Sequence, residues 1–305
     1  MQSLWTRLNL TLILVLFSVT TAMAQSAPDP EQVTTVDQAI QKGFIIASGI
    51  GYGNEKFPNR MKGMAFRAAQ VDAQRNLLET VEGLRLTGKT TFRNQVIEDE
   101  TVITNLQGVL QGSQVISRHY DPAEKLATVF VRLPIKGAGG VIEKTLPRLK
   151  ELPPPPGAQT YTPPPAAEAP KVAAIPKAPE TPKAPETPKV VENVPDGLIL
   201  DVTEHPFRPA LVNRIVTEKG EILYDPSKIA QTILVERGSG DYTTDTGKTK
   251  AILSERGSHH AVIIKALKVE RTTDVTVSAD DASLIFTANQ KKNFLEAAKV
   301  VFVLK

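Results

Sequence analysis

Fourteen of the chain's 23 prolines fall between Pro153 and Pro195, and no other feature constrains the fold as much. The tract contains Leu152-Pro-Pro-Pro-Pro-Gly157 and the repeat Lys177-Ala-Pro-Glu-Thr-Pro-Lys-Ala-Pro-Glu-Thr-Pro-Lys189. Each proline ring fixes φ and removes a backbone N–H donor, so neither a helix nor a sheet ladder can run through it. Extended polyproline II is the conformation left, and at about 3.1 Å per residue the tract reaches on the order of 130 Å when fully extended. The expected fold is therefore α+β, with two small mixed domains joined by a proline-rich polyproline II linker. Residues 33–151 form the first domain, 152–195 the linker and 196–305 the second, and the linker sets the spacing between them.

Residues 1–24 read as a signal peptide. Arg7 gives a positive start, Leu8 to Val19 is a mostly apolar run, and Ala22-Met23-Ala24 supplies small residues before a cleavage point between Ala24 and Gln25. The run is shorter than the roughly 18–20 apolar residues of a transmembrane helix; an uncleaved anchor is the alternative. The chain has no cysteine, so disulfides cannot hold its domains and no lipid anchor can form on an N-terminal cysteine. A periplasmic location is expected, with any outer-membrane attachment made through a partner. Charge is balanced throughout: 16 Lys/Arg against 14 Asp/Glu from Gln25 to Glu151, 4 against 4 in the linker, and 15 against 15 after it. Without the basic excess that phosphate backbones require, nucleic acid is not an expected partner.

In the first domain, Gly43 to Gly49 is a short apolar run that predicts a buried strand, followed by a turn over Gly51 to Asn59. From Asn59 to Glu82 the spacing predicts a helix, with Asn59 as its cap and Gly83 at C′. Met61, Ala65, Ala68, Ala69, Ala73, Leu77 and Val81 recur mostly at three- and four-residue steps, and the alanines form a narrow stripe that lets the helix lie close to a sheet. Leu84 to Phe92 reads as a Thr-rich strand, and Glu98 to Leu106 as one or two helical turns. Gly112 to Tyr120 and Leu126 to Leu133 read as strands of a hairpin turning at Asp121 to Lys125. Val141 to Leu146 closes the domain as a short helix limited by Pro147.

The helix carrying Asp72-Ala73-x-x-Asn76-Leu77 and ending at Gly83, followed by Gly108-Val-Leu-x-Gly112-x-x-Val115-Ile116 leading into a hairpin, resembles the Lpp-twenty-type bacterial outer-membrane lipoprotein family. That domain is also similar to the N-terminal domain of flagellar assembly protein T. The resemblance covers Gly43 to Leu133. It implies a small α+β envelope domain of non-enzymatic function, with outer-membrane or flagellar basal-body components as partners. The family's lipidated cysteine is missing here.

In the second domain, Gly197 to Val202 predicts a strand, and Leu211 to Thr217 with Glu221 to Tyr224 a hairpin. A helix is expected from Asp225 at the N-cap and Pro226 at N1 to Gly238, and another from Thr246 to Arg256 before Gly257. Ala261 to Val269 and Asp274 to Val277 read as strands. Ser278 opens a helix to Phe286, Gln290 to Ala298 gives a further turn, and Val300 to Leu304 is a closing strand.

No residue set nominates a catalytic centre, a cofactor or a metal. The Gly49-Ile-Gly51-Tyr-Gly53-Asn54 stretch lacks the sixth-position glycine of a dinucleotide fingerprint and the Gly-Lys-Ser/Thr of a Walker loop, leaving a strand-end turn. His259 and His260, adjacent on a predicted strand, would point to opposite faces and not share a metal; His119 and His205 have no ligand set nearby in sequence. Asp280 and Asp281 could be a paired acid/base, but they sit in a first helical turn, where capping accounts for them. Ser239 and Ser258 lie in Gly-Ser turns and not in a nucleophile elbow. Tyr52, Phe57, Tyr161 and Tyr242 could stack on a sugar or peptide, or simply cover core. The expected function is a non-enzymatic periplasmic adaptor or structural protein of the cell envelope. An envelope-polymer hydrolase and a sugar- or peptide-binding module are the alternatives.

Overall fold

The alanine stripe decides how the first lobe packs. In this computed structural model, which describes residues 33–94, 108, 110, 112–155, 157–163 and 194–305, Ala65, Ala69, Ala73, Leu77 and Val81 form the fully buried face of α2 (Met61–Gly83). That face lies on β1 (Phe44–Tyr52), and Gly49 and Gly51 of β1 meet it backbone to backbone. A Cβ on Gly49 would stand 2.5 Å from the Ala69 carbonyl oxygen, far inside van der Waals contact. Both glycines are therefore strand residues under a helix: Gly49 lies in the strand its apolar run predicts, and Gly51 extends that strand where the sequence predicts a turn.

β1 is an edge strand, antiparallel to β3 (Leu126–Pro134), which pairs with β2 (Gln114–Asp121) to give the order β1-β3-β2. Its open edge is closed by α2. Asp72 Oδ2 accepts the Ile50 N–H at 3.0 Å, and Asn76 Nδ2 donates to the Ser48 carbonyl at 2.7 Å. The Asp-Ala-x-x-Asn motif is thus a clasp that satisfies strand groups which would otherwise invite pairing. Ahead of β1, helix α1 (Val36–Lys42) carries a Thr35/Gln38 capping box and ends at Gly43 with φ 76°. The β2–β3 turn is held by Asp121 Oδ1, which accepts from Ala123 N and Glu124 N.

Several boundaries differ from the sequence expectation. The turn Pro58–Arg60 precedes α2, so Asn59 does not cap it, and Gly83 is its last residue, with Leu84 following at φ −59°. Helix α3 (Val141–Glu151) runs through Pro147, whose unmatched carbonyl partner at Glu143 lies on the exposed side where water can serve it. Leu84 to Phe92 is not a strand beyond an Arg85–Thr91 bridge. The signal peptide with Ala24 and Gln25, the turns at Glu98 to Leu106, and residues 164–193 of the proline tract lie outside the described residues.

The second lobe contains two four-stranded sheets. One has the order β6-β5-β10-β9, from β5 (Ile215–Thr217), β6 (Ile222–Tyr224), β9 (Lys268–Glu270) and β10 (Asp274–Val277). The other, β7-β11-β4-β8, is parallel throughout and uses β4 (Gly197–Asp201), β7 (Asp241–Thr243), β8 (Ala261–Lys265) and β11 (Val300–Val303). Alternation sends Leu198, Leu200, Val300 and Phe302 to the main core and Ile199, Val301 and Val303 to the opposite face, under Leu253 of α5 (Thr249–Glu255). The predicted strand Ala261 to Val269 is split between the two sheets. The helix expected from Asp225 breaks at Ile229 into the turn Pro226–Lys228 and α4 (Gln231–Arg237), while α6 (Ala279–Lys292) is continuous until Asn293 adopts φ 48°.

The two lobes are not held apart. One apolar cluster runs from Ile45 and Leu77 through Leu86, Leu146 and Leu152 to Leu200 and Val275. Leu211 N and Val212 N donate across it to the Arg85 and Leu86 carbonyls, both at 2.9 Å, and Gly137 N donates to Val235 O at 2.7 Å. The start of the expected spacer belongs to this body. Arg214 Nη2 donates to the Leu152 and Pro153 carbonyls, and Tyr161, 7 % exposed, bridges Ile222 of β6 through backbone bonds and meets the Phe286 ring edge-on. A proline run has no N–H donors to pair its own carbonyls, and here a buried guanidinium supplies them. The fold is mixed α+β, with docked lobes. Among the described residues no helix is long and apolar enough to cross a membrane.

Candidate functional site

Two places gather polar side chains. The first is buried at the lobe junction. Asp241 of β7 accepts Lys136 Nζ at 3.0 Å on one oxygen and Arg256 Nε at 2.5 Å on the other. Lys136 also donates to Gly240 O, and Arg256 to the Ala298 and Arg237 carbonyls. Burial alone would raise the Asp241 carboxyl, but the two cations hold it below the usual aspartate range. Burial pushes the Lys136 ammonium down; Asp241 pulls it back up and Arg256 adds to the decrease. Each donor is committed to a carbonyl or to the carboxylate, so the cluster is a weld between lobes. A second buried pair, Arg214 with Asp225 at 2.7 Å, fixes the entry of the proline tract.

The second place is open. A cleft of about 470 Å³ lies on the α5 face of the parallel sheet, beside edge strand β8. Its floor is Ile199, Leu253, Ala261 and Ile263, and its rim carries Lys250, Ser254, His259 and His260. Ile263 is 64 % exposed. The loop before β8 is shaped by Asp196, which accepts Ser258 Oγ at 2.8 Å, His259 N at 3.1 Å and His260 N at 2.8 Å. Burial would raise its carboxyl, yet these donors hold it below the usual range. An anion held this way organises the loop and leaves Lys250 as the charged residue lining the cleft. An apolar floor beside a lysine suits a ligand with an apolar body and a carboxylate.

The region that builds this cleft has a recognisable relative. Residues 197–305 match the family model described as Treponema pallidum Tp0624, second domain. The match starts at β4 and takes in both sheets of the second lobe, under half of the chain. Comparison with curated proteins finds no match.

Within the matched region, His259 and His260 fall in a bend before β8 and not on a strand, so both face the same cleft, contrary to the alternation expected of them. His205 Nε2 lies 3.1 Å from the Ala266 carbonyl, while His119 is exposed on β2 of the first lobe. Among the described residues no three His, Asp or Glu side chains converge as metal ligands. Asp280 and Asp281 stand in the first turn of α6, where Ser278 Oγ accepts the Asp281 N–H, so capping is their role. Ser258 Oγ donates to Asp196, and Ser239 is buried with its carbonyl accepting from the Tyr224 hydroxyl. Tyr242 is buried too, its hydroxyl donating to the Ala210 carbonyl at 2.8 Å and contacting Asn213 Oδ1. Tyr161 and Tyr242 therefore cover core, whereas Tyr52 and Phe57 are more than half exposed on the first lobe. Sequence reasoning passed over Lys250, Ile263 and Asp241. An isoleucine within a β-branched run carries no sign that one member faces solvent.

Proposed function

We propose that the chain is a non-enzymatic adaptor of the cell envelope, exported to the periplasm, that holds partner proteins at fixed positions on a rigid two-lobed body. The observation that carries this reading is the open cleft beside β8, with exposed Ile263 on its floor and Lys250 on its rim. It offers contact chemistry, and the buried Lys136–Asp241–Arg256 cluster supports a fixed relation between that cleft and the first lobe. Partners among outer-membrane or flagellar basal-body components are part of the proposal, resting on the first lobe's resemblance. Crosslinking intact envelopes and capturing the full chain tests it: specific envelope proteins should be recovered with the periplasmic fraction, and recovery of none would refute the adaptor. A small-molecule binding module is the second reading, because the cleft volume falls in the range of about 300–1,000 Å³ typical of ligand sites. Saturable binding of a small anionic ligand, with no protein captured, would favour it.

A further inference from the structure

We infer that edge strand β8 and the cleft beside it receive an extended segment of a partner protein, added to the sheet as a further strand, with an apolar side chain seated on Ile263 and a carboxylate near Lys250. The inference rests on the adaptor reading and names the chemistry of its partner.

The backbone carries the first part of the argument. β8 pairs with β4 and, among the described residues, with no other strand. His260 O accepts Asp196 N, and Ala266 N donates to Asp201 O, both toward β4. Strand groups alternate sides, so Val262 and Ile264 also face β4, whereas the N–H and C=O of Ala261, Ile263 and Lys265 face away from the sheet. No backbone partner meets them among the described residues. β8 has no proline and no bulge, and its one charge, Lys265, stands at the last residue of the strand and pairs with Glu204 at 2.7 Å. The same chain protects edges elsewhere: Asp72 and Asn76 clasp β1, and the bridge of Thr160 covers β6. An open, regular edge next to an exposed isoleucine is the geometry of strand addition, in which main-chain bonds supply affinity and side-chain pockets supply selectivity.

Charge selects the occupant. Lys250 lines the cleft and no acidic residue does. The nearby carboxylate, Asp196, is committed to Ser258 and to the two histidine N–H groups. Side chains of Ala261 and Ile263 share the cleft face with Ile199 and Leu253. The occupant should therefore alternate apolar and polar residues and carry at least one Asp, Glu or free C-terminus.

The test uses the full chain and a randomised peptide library with free C-termini. Enriched peptides should alternate apolar and polar residues, carry a carboxylate, and bind Ile263→Asp about tenfold or more weakly, since an apolar contact of this size is lost. Lys250→Glu should weaken binding and reduce its salt dependence. Hydrogen exchange on the unmodified chain gives a readout independent of any variant: the Ala261, Ile263 and Lys265 amides should exchange quickly alone and gain protection with an enriched peptide. Absence of enrichment, equal binding to Ile263→Asp, or unchanged exchange at those three amides would overturn the inference. If crosslinked envelopes still yield the same partners with Ile263→Asp, the adaptor stands and this edge is not its docking site. If peptides bind at β8 but no envelope protein is ever captured, the edge stands and the adaptor falls.

Discussion

Replacing Gly49 by alanine adds one methyl group where β1 and α2 touch through their backbones. The new Cβ would lie 2.5 Å from the Ala69 carbonyl oxygen and 2.6 Å from the Asp72 carbonyl carbon. Ala73 N is nearer still, and comfortable separations between such atoms are about 3.5–4.0 Å, so α2 must retreat by roughly 1.5 Å. No flexible side chain is available to yield. Overpacking of this kind costs about 1–3 kcal/mol. Retreat also stretches the Asp72–Ile50 and Asn76–Ser48 hydrogen bonds, each contributing about 1 kcal/mol. The combined loss is about 3–5 kcal/mol, a large part of the roughly 5–15 kcal/mol by which domains are stable. At roughly 2–4 °C per kcal/mol for a body of this size, the melting midpoint should drop by on the order of 10 °C. Gly63, on the exposed side of the same helix, has nothing within 4 Å of an added Cβ. Gly63→Ala should instead gain about 0.5–1 kcal/mol from helix propensity. Paired urea titrations read both signs at once. A Gly49→Ala protein within about 0.5 kcal/mol of the parent would refute the close-packing argument, because surface-like substitutions give changes of that size.

Asp241→Asn keeps the shape of the lobe junction but leaves Lys136 and Arg256 without their counter-charge, and urea unfolding should show a loss of about 3–5 kcal/mol. The Asp225 carboxyl, which burial would raise, is held below the usual range by Arg214 and Ser227. Its contribution is present above the unfolded value near 3.9 and is lost as pH falls through the lower folded value, so urea midpoints followed below about pH 4 should decline less steeply in Asp225→Asn. Asp274, whose carboxyl burial pushes upward, works in the opposite sense: its ionised form costs stability that is recovered as pH falls through the raised folded value toward the unfolded value near 3.9, so Asp274→Asn should lose that recovery in the window above about pH 4. Burial raises the Tyr224 and Tyr242 hydroxyls far above the ordinary tyrosine range, so an alkaline ultraviolet titration should leave these two unionised until the chain unfolds.

Local chemistry made some of this legible from the residues alone. The alanine stripe of α2 has a period that marks a close-packed helix, and the Asp121 turn and the Ser278 cap are written in single residues. Where an element's limits depend on partners far along the chain, the reading fails. Leu84 to Phe92 has strand-forming residues, but it folds back on itself, with Phe92 N donating to Leu84 O and Leu86 N to Thr90 O, and its Arg85 and Leu86 carbonyls accept from Leu211 and Val212 far along the chain. Ala261 to Val269 is one β-branched run, cut in two because β4 claims its first half and β10 its second. The cleft escaped notice for the same reason, since Lys250, His259 and Ile263 meet only through the sheet's parallel order.

Composition and period determined, unaided, that this chain forms mixed α+β lobes, that no disulfide holds them, and that the alanine-striped helix can lie close to a sheet. Those outcomes follow from contacts between near neighbours and from the bond-forming capacity of each residue type. Only the tertiary structure decided that the lobes dock, that Leu152, Pro153 and Tyr161 belong to the folded body, and that β8 has no second strand neighbour among the described residues. Each of these depends on burying charge or pairing backbone across long separations, such as Lys136 with Asp241, 105 residues apart. A proline tract limits its own conformation. It does not prevent the lobes on either side of it from meeting when apolar surface and a compensated ion cluster favour contact.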